Sequence, residues 1–237
     1  MGIKKEFCKI FFKLIDTTAY TDFLPKIINR NSSTMNKNDY KVSDEYDYIF
    51  VHIHRTGGMT FNSVISKINE NSKVKIYTGS HNPMSILHEV SEKKYITVLR
   101  NPVERVFSYY LVSLNDKKQP YHYLAKKNIF HFLKYCPEAQ NIYCKYFSSD
   151  VEKDINNDLY ELAKKNLKNF DTIINFSNFD SDVKKFLEKF NIDNIKIPHI
   201  NTNPKKREIS NEELKAIKFY NDYDIKLFKQ VETENLN

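Results

Sequence analysis

A chain of 237 residues suits one globular domain with a small appendage, because domains usually run to about 100–200 residues, and two full domains are not expected. Hydrophobic residues at 41%, with 17 Phe and 16 Tyr, supply a sizeable core and exclude wholesale disorder. Lys and Arg exceed Asp and Glu by 37 to 30, a formal charge of +7, which favours anionic ligands, nucleic acid or acidic membrane surfaces without choosing among them.

In chain order, Lys9 and Lys13 interrupt the apolar residues near the start well short of the roughly 20 needed to span a bilayer, so neither a signal peptide nor a membrane anchor is expected. Glu6 stands where a myristoylation signal after Gly2 needs Ser or Thr. Asn29 to Asp44 is a polar run rich in Asn, Ser and Lys, which marks residues 1–44 as an N-terminal arm and 45–237 as the folded domain. Tyr48 to Ile53 then reads as a β-strand. Arg55-Thr-Gly-Gly58 reads as a turn, and Met59 to Ile68 as a helix with Phe61, Val64, Ile65 and Ile68 on one face. Val74 to Tyr77 is a second strand leading to Gly79. Tyr95 to Leu99 is a third, passing through Arg100-Asn101-Pro102 into a helix that presents Val103, Val106, Phe107 and Tyr110.

Beyond these, Tyr121 to Tyr146 reads as helical, Leu159 to Leu167 as a helix, Phe170 to Ile174 as a strand and Asp180 to Phe190 as a helix. Pro198 to Arg207 is a polar loop. One final helix is expected from Asn211 to about Val231, with Ser210 as N-cap and Glu213 completing a capping box. The alternation predicts an α/β fold: a three-layer sandwich with a central parallel sheet, binding its ligands outside the carboxyl ends of the strands.

The chain has only four glycines, against about 7% in average usage, so their placement is informative. Apart from Gly2 they are Gly57, Gly58 and Gly79, each directly after a predicted strand. Glycine serves where the backbone takes positive φ or a ligand approaches closely. The turn from Arg55 through Thr56, Gly57, Gly58 and Met59 to Thr60 opens a helix, so its unpaired N–H groups, the Arg55 charge and the two threonine hydroxyls form a candidate phosphate cradle. The alternative is a plain strand-to-helix turn closed by glycines. Neither a Gly-Lys-Ser/Thr ending nor a dinucleotide fingerprint is present. A second anion site is expected at Arg100 and, a little under two helical turns on, Ser108, because arginine offers a planar fork matched to phosphate. Ordinary surface pairing of Arg100 and Arg105 with Glu104 is the competing reading. Two cradles ask for a ligand with two separate anionic ends.

Phe50-Val-His-Ile-His-Arg-Thr-Gly-Gly-Met-Thr60 and Thr97-Val-Leu-Arg-Asn-Pro-Val-Glu-Arg-Val-Phe-Ser-Tyr-Tyr110 resemble the 5′-phosphosulfate loop and the 3′-phosphate segment of the nucleotide-dependent sulfotransferases. The resemblance is to the carbohydrate branch typified by heparan sulfate 2-O-sulfotransferase and its bacterial relatives. It covers about residues 46–231 and implies a P-loop-like sulfotransferase fold, 3′-phosphoadenosine 5′-phosphosulfate (PAPS) as donor and a carbohydrate hydroxyl as acceptor. Arg55, Thr56, Gly57, Gly58, Met59, Thr60, Arg100 and Ser108 would then hold the donor. Two positions depart from the family pattern: His54-Arg55 stands in place of Pro-Lys, and Asn101 in place of Asp. The family's lysine contacts the bridging oxygen and the leaving phosphate, and Arg55 carries the same charge on a broader fork.

Sulfuryl transfer needs the acceptor hydroxyl deprotonated and the leaving phosphate neutralised, with positioning and electrostatics supplying most of the rate. No metal is expected. Histidine, with a pKa near 6.5, suits the base. His81 in Tyr77-Thr-Gly-Ser-His81 is the first candidate, similar to the family's Gly-His segment with one residue inserted, and His54 at the loop mouth is the second. His52 reads as structural, His88 with Glu89 as a possible orienter of His81, and Lys205, Lys206 and Arg207 as a basic loop able to close over the donor or steer an acidic polymer. A basic nucleic-acid-binding module, with aromatics as stacking platforms, and a nucleotide-dependent phosphotransferase remain the alternatives.

Overall fold

The computed structural model describes residues 45–78, 93–148, 150, 154–192, 197 and 207–234, all of which fall in one compact unit spanning Lys41–Asn237. The expected arm 1–44, Gly79, His81, His88, Glu89, Lys205 and Lys206 lie outside the described residues.

Four strands form one sheet among these residues: β1 Tyr48–Val51, β2 Ile76–Thr78, β3 Lys94–Leu99 and β4 Phe170–Asn175, in the order β2-β1-β3-β4. Every pairing is parallel. All four residues of β1 are buried, as a strand covered on both faces requires. Its alternating side chains enter two different cores. Tyr48 and Phe50 join Phe61, Val64, Ile65 and Ile68 of helix α1 (Gly58–Asn71) and Val183 and Phe186 of α7 (Phe179–Glu188). Ile49 and Val51 instead join Ile142 and Tyr143 of α5 (Ile142–Ser148), Ala163 and Leu167 of α6 (Asn157–Leu167), and Leu227 and Phe228 of α9 (Asp222–Glu234). The period-2 strand thus feeds two helical layers, which is the three-layer sandwich.

Helix α1 forms where Phe61, Val64, Ile65 and Ile68, at i, i+3, i+4 and i+7, meet the sheet, all fully buried. Truncating Phe61 to Ala removes a buried ring and destabilises by about 3–5 kcal/mol. Helix α2 (Pro102–Asn115) starts with Pro102 in its first turn and Asn101 as N-cap, the Asn101 side chain accepting from the Val103 N–H at 3.0 Å. An asparagine caps as well as an aspartate does, so the residue that departs from the family pattern keeps the capping task without the charge.

The expected helical stretch from Tyr121 to Tyr146 is three short helices, α3 (His122–Lys127), α4 (Ile129–Tyr135) and α5, with a 3₁₀ turn at Pro137–Ala139. The single terminal helix is two, α8 (Asn211–Tyr220) and α9, broken at Asn221. The Ser210–Glu213 capping box is present. The break has a tertiary cause: the fully buried Asn221 side chain donates to the carbonyls of Ala139 and Ile217 and accepts from the Asn141 N–H. One turn later the buried Asp224 carboxylate accepts from the N–H groups of Tyr143 and Cys144, both at 2.9 Å, capping α5 from another helix. Burial pushes the Asp224 carboxyl upward while these two donors hold it in place.

Candidate active site

The strand order fixes where a ligand fits. From β1 the chain crosses to β2 on one side, while from β3 it continues to β4 on the other. The carboxyl ends of β1 and β3 therefore flank the topological switch point, where open α/β sheets bind their ligands. The two loops there are residues 52–57 and Arg100-Asn101, the two cradles expected from the sequence.

Backbone conformation shapes the first loop. Arg55 has φ 67° and Gly57 φ 99°, both left-handed, and a non-glycine residue held there costs about 1–3 kcal/mol, a strain that clusters at functional sites. Gly57 combines the left-handed backbone with close packing, because a Cβ there would meet the Phe176 ring at 2.6 Å. Gly58 is needed for space, since its Cβ would lie 2.0 Å from the His52 ring. His52 is buried and stacked on Phe50 at 5.2 Å, so it is structural, as read from the sequence. The expected hydroxyl donor Thr56 turns inward instead: fully buried, it donates to the Ile53 carbonyl at 2.9 Å and braces the turn. Gly58 and Met59 open α1, and their N–H groups belong to the first turn, which has no intrahelical partners of its own. Thr60 is buried in the same turn and Met59 is exposed.

The loop places Arg55 across the switch point. Its Nε and Nη2 donate to Ser108 Oγ at 3.3 and 3.2 Å, so the serine expected to serve the Arg100 site is held by Arg55. No carboxylate among the described residues lies within ion-pair distance of Arg55. Burial, and then the Arg100 charge, pull the Arg55 guanidinium below its usual value. Two mutually repelling cations at a switch point gain from an anion placed between them.

Arg100 is held by side chains. The Tyr143 hydroxyl accepts from the Arg100 N–H at 3.1 Å and donates to its carbonyl at 2.6 Å. The guanidinium lies 4.6 Å from the Phe176 ring centroid, and its Nε donates to Glu104 at 3.2 Å. The expected pairing with Glu104 is present for Arg100. It is wrong for Arg105, which is fully buried, donates from Nη2 to the Glu138 carbonyl at 3.1 Å and lies 5.7 Å from the Tyr143 ring. Nε and Nη1 of Arg105 have no hydrogen-bond partner. The sequence placed Arg105 on α2 correctly but could not tell that α5 and the 137–139 turn cover it.

Arg207 donates from both terminal nitrogens to Glu213, at 2.8 and 2.6 Å, and lies over the rings of Phe107 and Tyr110 at 4.9 and 5.7 Å. This ties the start of α8 to α2. His54 lies next to Arg55, with Nε2 3.8 Å from Glu138 Oε2 and its ring parallel to Tyr109 within 11°. Phe176, Tyr143 and Glu138 were not singled out from the sequence. Only Phe176 carries a local signal, since it directly follows β4 at the ligand-binding edge. No group of three or more His, Cys, Asp or Glu among the described residues is arranged to hold a metal ion.

Compared with known protein families, the chain matches the model described as the sulfotransferase family over residues 38–234, well over half its length. No match is found among curated individual proteins.

Proposed function

The chain belongs to the sulfotransferase family, a transferase whose reaction is sulfuryl transfer to an acceptor, and from that premise we propose that it transfers the sulfuryl group of PAPS to a carbohydrate hydroxyl. The observation that carries the reading is the pair of guanidiniums at the switch point. Arg55, on a left-handed turn that opens a helix, and Arg100, at the end of β3, repel one another and lie where two anionic ends of one ligand would separate them. In this reading the turn from Arg55 to Thr60 receives the 5′-phosphosulfate. Its backbone N–H groups hold the phosphate, and Arg55 neutralises the charge that develops there as the bond to sulfur breaks. Arg100 receives the 3′-phosphate, joined in this reading by Ser108, whose hydroxyl Arg55 holds in the structure.

The acceptor gives its proton to a histidine, with His81 and His54 the two candidates and His81 first on sequence. A sugar acceptor rests on the resemblance of the two loops to the carbohydrate branch. The proposed setting is the cytoplasm, which suits the two buried free thiols of Cys136 and Cys144. No helix among the described residues is long and apolar enough to cross a membrane. Residues 1–44 are proposed as an arm outside the catalytic domain.

Thermal shift with adenosine 3′,5′-bisphosphate, adenosine 5′-phosphosulfate, ATP and an oligonucleotide side by side tests the reading. Adenosine 3′,5′-bisphosphate should raise the melting temperature most. A larger shift with ATP or the oligonucleotide favours a phosphotransferase or a nucleic-acid-binding module and rejects the proposed donor.

A further inference from the structure

Glu138 belongs to neither anion cradle, yet several polar side chains converge on it. The Tyr109 hydroxyl donates to its Oε2 at 2.6 Å, and the Tyr121 hydroxyl lies close enough to feel the same carboxylate charge. Its main-chain carbonyl accepts from Arg105 Nη2 at 3.1 Å, and Lys145 Nζ donates to the Pro137 carbonyl just before it at 3.2 Å. The 137–139 turn is closed by the Ala139 N–H donating to Cys136 at 3.0 Å. Burial comes first in raising the Tyr109 and Tyr121 hydroxyls far above their ordinary value, with the nearby Cys136 thiol and the Glu138 charge adding to it, so both remain donors at any working pH. The carboxylate is thus held by the Tyr109 hydroxyl on a turn that Arg105 and Lys145 anchor.

A further neighbour is His54, 3.8 Å away through Nε2 and 29% exposed, one residue before Arg55. A carboxylate fixed this firmly and facing a reachable imidazole beside a cation at the ligand-binding edge matches a base and its orienter.

We propose that Glu138 is a positioning residue for His54, and that His54 takes the acceptor proton in the sulfuryl transfer. The inference rests on the sulfotransferase reading and moves the base from the residue favoured by sequence to one built into the turn after β1. In the tautomer that keeps its proton on Nε2, the nitrogen nearest Glu138, Nδ1 carries the lone pair. The acceptor O–H proton passes to Nδ1, and the electron pair of that O–H bond forms the new oxygen–sulfur bond. The bond from sulfur to the bridging oxygen breaks, and its electrons remain on the 5′-phosphate beside Arg55. The resulting imidazolium lies against the Glu138 carboxylate, which compensates its charge. Among the described residues, the charged and titratable groups recorded beside His54 include Arg55 on its own loop, Tyr109 on α2 and Glu138 on the 137–139 turn, with Arg105 and Lys145 holding that turn from behind. Arg55 disfavours the imidazolium and Glu138 favours it.

The test combines ring titration with turnover. His54 is followed by NMR across pH 5–9 in the wild type and in Glu138→Gln, and sulfate release from PAPS to water is measured in the same proteins and in His54→Gln. Loss of the carboxylate should lower the His54 midpoint by about 0.5–1 pH unit. It should slow sulfate release at least several-fold, with partial recovery in Glu138→Asp. His54→Gln should lose at least about tenfold, the lower range for a removed base, with recovery on adding imidazole to His54→Gly. An unchanged His54 midpoint in Glu138→Gln overturns the pairing. Full sulfate release by His54→Gln, or its loss only in His81→Ala, overturns the base assignment. Tyr109→Phe, which frees the carboxylate without removing it, provides the same midpoint comparison if Glu138→Gln folds poorly. Binding of adenosine 3′,5′-bisphosphate to the wild type separates the two levels: without it the donor reading fails, while the His54 titration still decides the pairing.

Discussion

The two arginine loops reach the same sheet edge by different means. The loop after β1 is shaped by its backbone: Arg55 and Gly57 are left-handed, and Gly57 and Gly58 leave room for the rings of Phe176 and His52. The loop after β3 has no residue with positive φ. There Asn101 caps α2, the Tyr143 hydroxyl grips both main-chain groups of Arg100, and Phe176 and Glu104 aim the guanidinium. The strained loop suits a group whose charge changes during reaction, since strain and preorganised donors act where charge develops. The packed loop suits a group that only holds. Phe176 joins them, filling the space beside Gly57 while lying under Arg100.

Substitutions can break this contrast. The largest effect is expected from Arg55→Ala, which should reduce sulfuryl transfer by about 10²–10³-fold while weakening adenosine 3′,5′-bisphosphate binding much less. Equal losses in rate and affinity would make Arg55 a holding group like Arg100 and erase the distinction. Arg100→Ala should do the reverse. It should raise the dissociation constant of adenosine 3′,5′-bisphosphate by about ten-fold or more, from a lost charge-assisted contact of about 1.5–3 kcal/mol, and reduce discrimination against adenosine 5′-phosphosulfate. Unchanged discrimination places the 3′-phosphate elsewhere.

Next comes Gly58→Ala, which drives a methyl into the buried His52 ring and should destabilise by about 1–3 kcal/mol in urea unfolding. An alanine tolerated at that position shows that the His52 ring moves aside and that the turn is less constrained than its geometry suggests. The smallest change is expected from Phe176→Leu. It removes the ring under Arg100, a half-buried contact of about 1 kcal/mol, and should weaken adenosine 3′,5′-bisphosphate by a few-fold. A comparable loss in transfer rate would show that Phe176 also governs the Arg55 turn.

Much of this was legible in the chain because it depends on local order. The strands show as short β-rich runs, α1 shows through Phe61, Val64, Ile65 and Ile68, and α2 through Asn101-Pro102. The position of the two loops was legible because glycine is scarce and because parallel strands place their following loops at one edge. What stayed hidden involves residues far apart in sequence. Arg105 has the spacing of a surface arginine until α5 and the 137–139 turn close over it, and residues 211–234 keep helical periodicity while buried Asn221 breaks the helix through bonds to Ala139 and Asn141.

By itself, then, the sequence determined the alternating strands and helices, the two loops that open helices, and the residue types able to receive anions. These follow from periodicity, capping and glycine placement within a few residues of one another. Only the tertiary structure decided that Arg55 reaches Ser108 across the switch point, that Phe176 lies beneath Arg100, that Thr56 turns inward, and that Glu138 faces His54. Each of those contacts is set by how the layers pack. The direction of a side chain at a strand end depends on which distant helix covers it, and no local pattern encodes that.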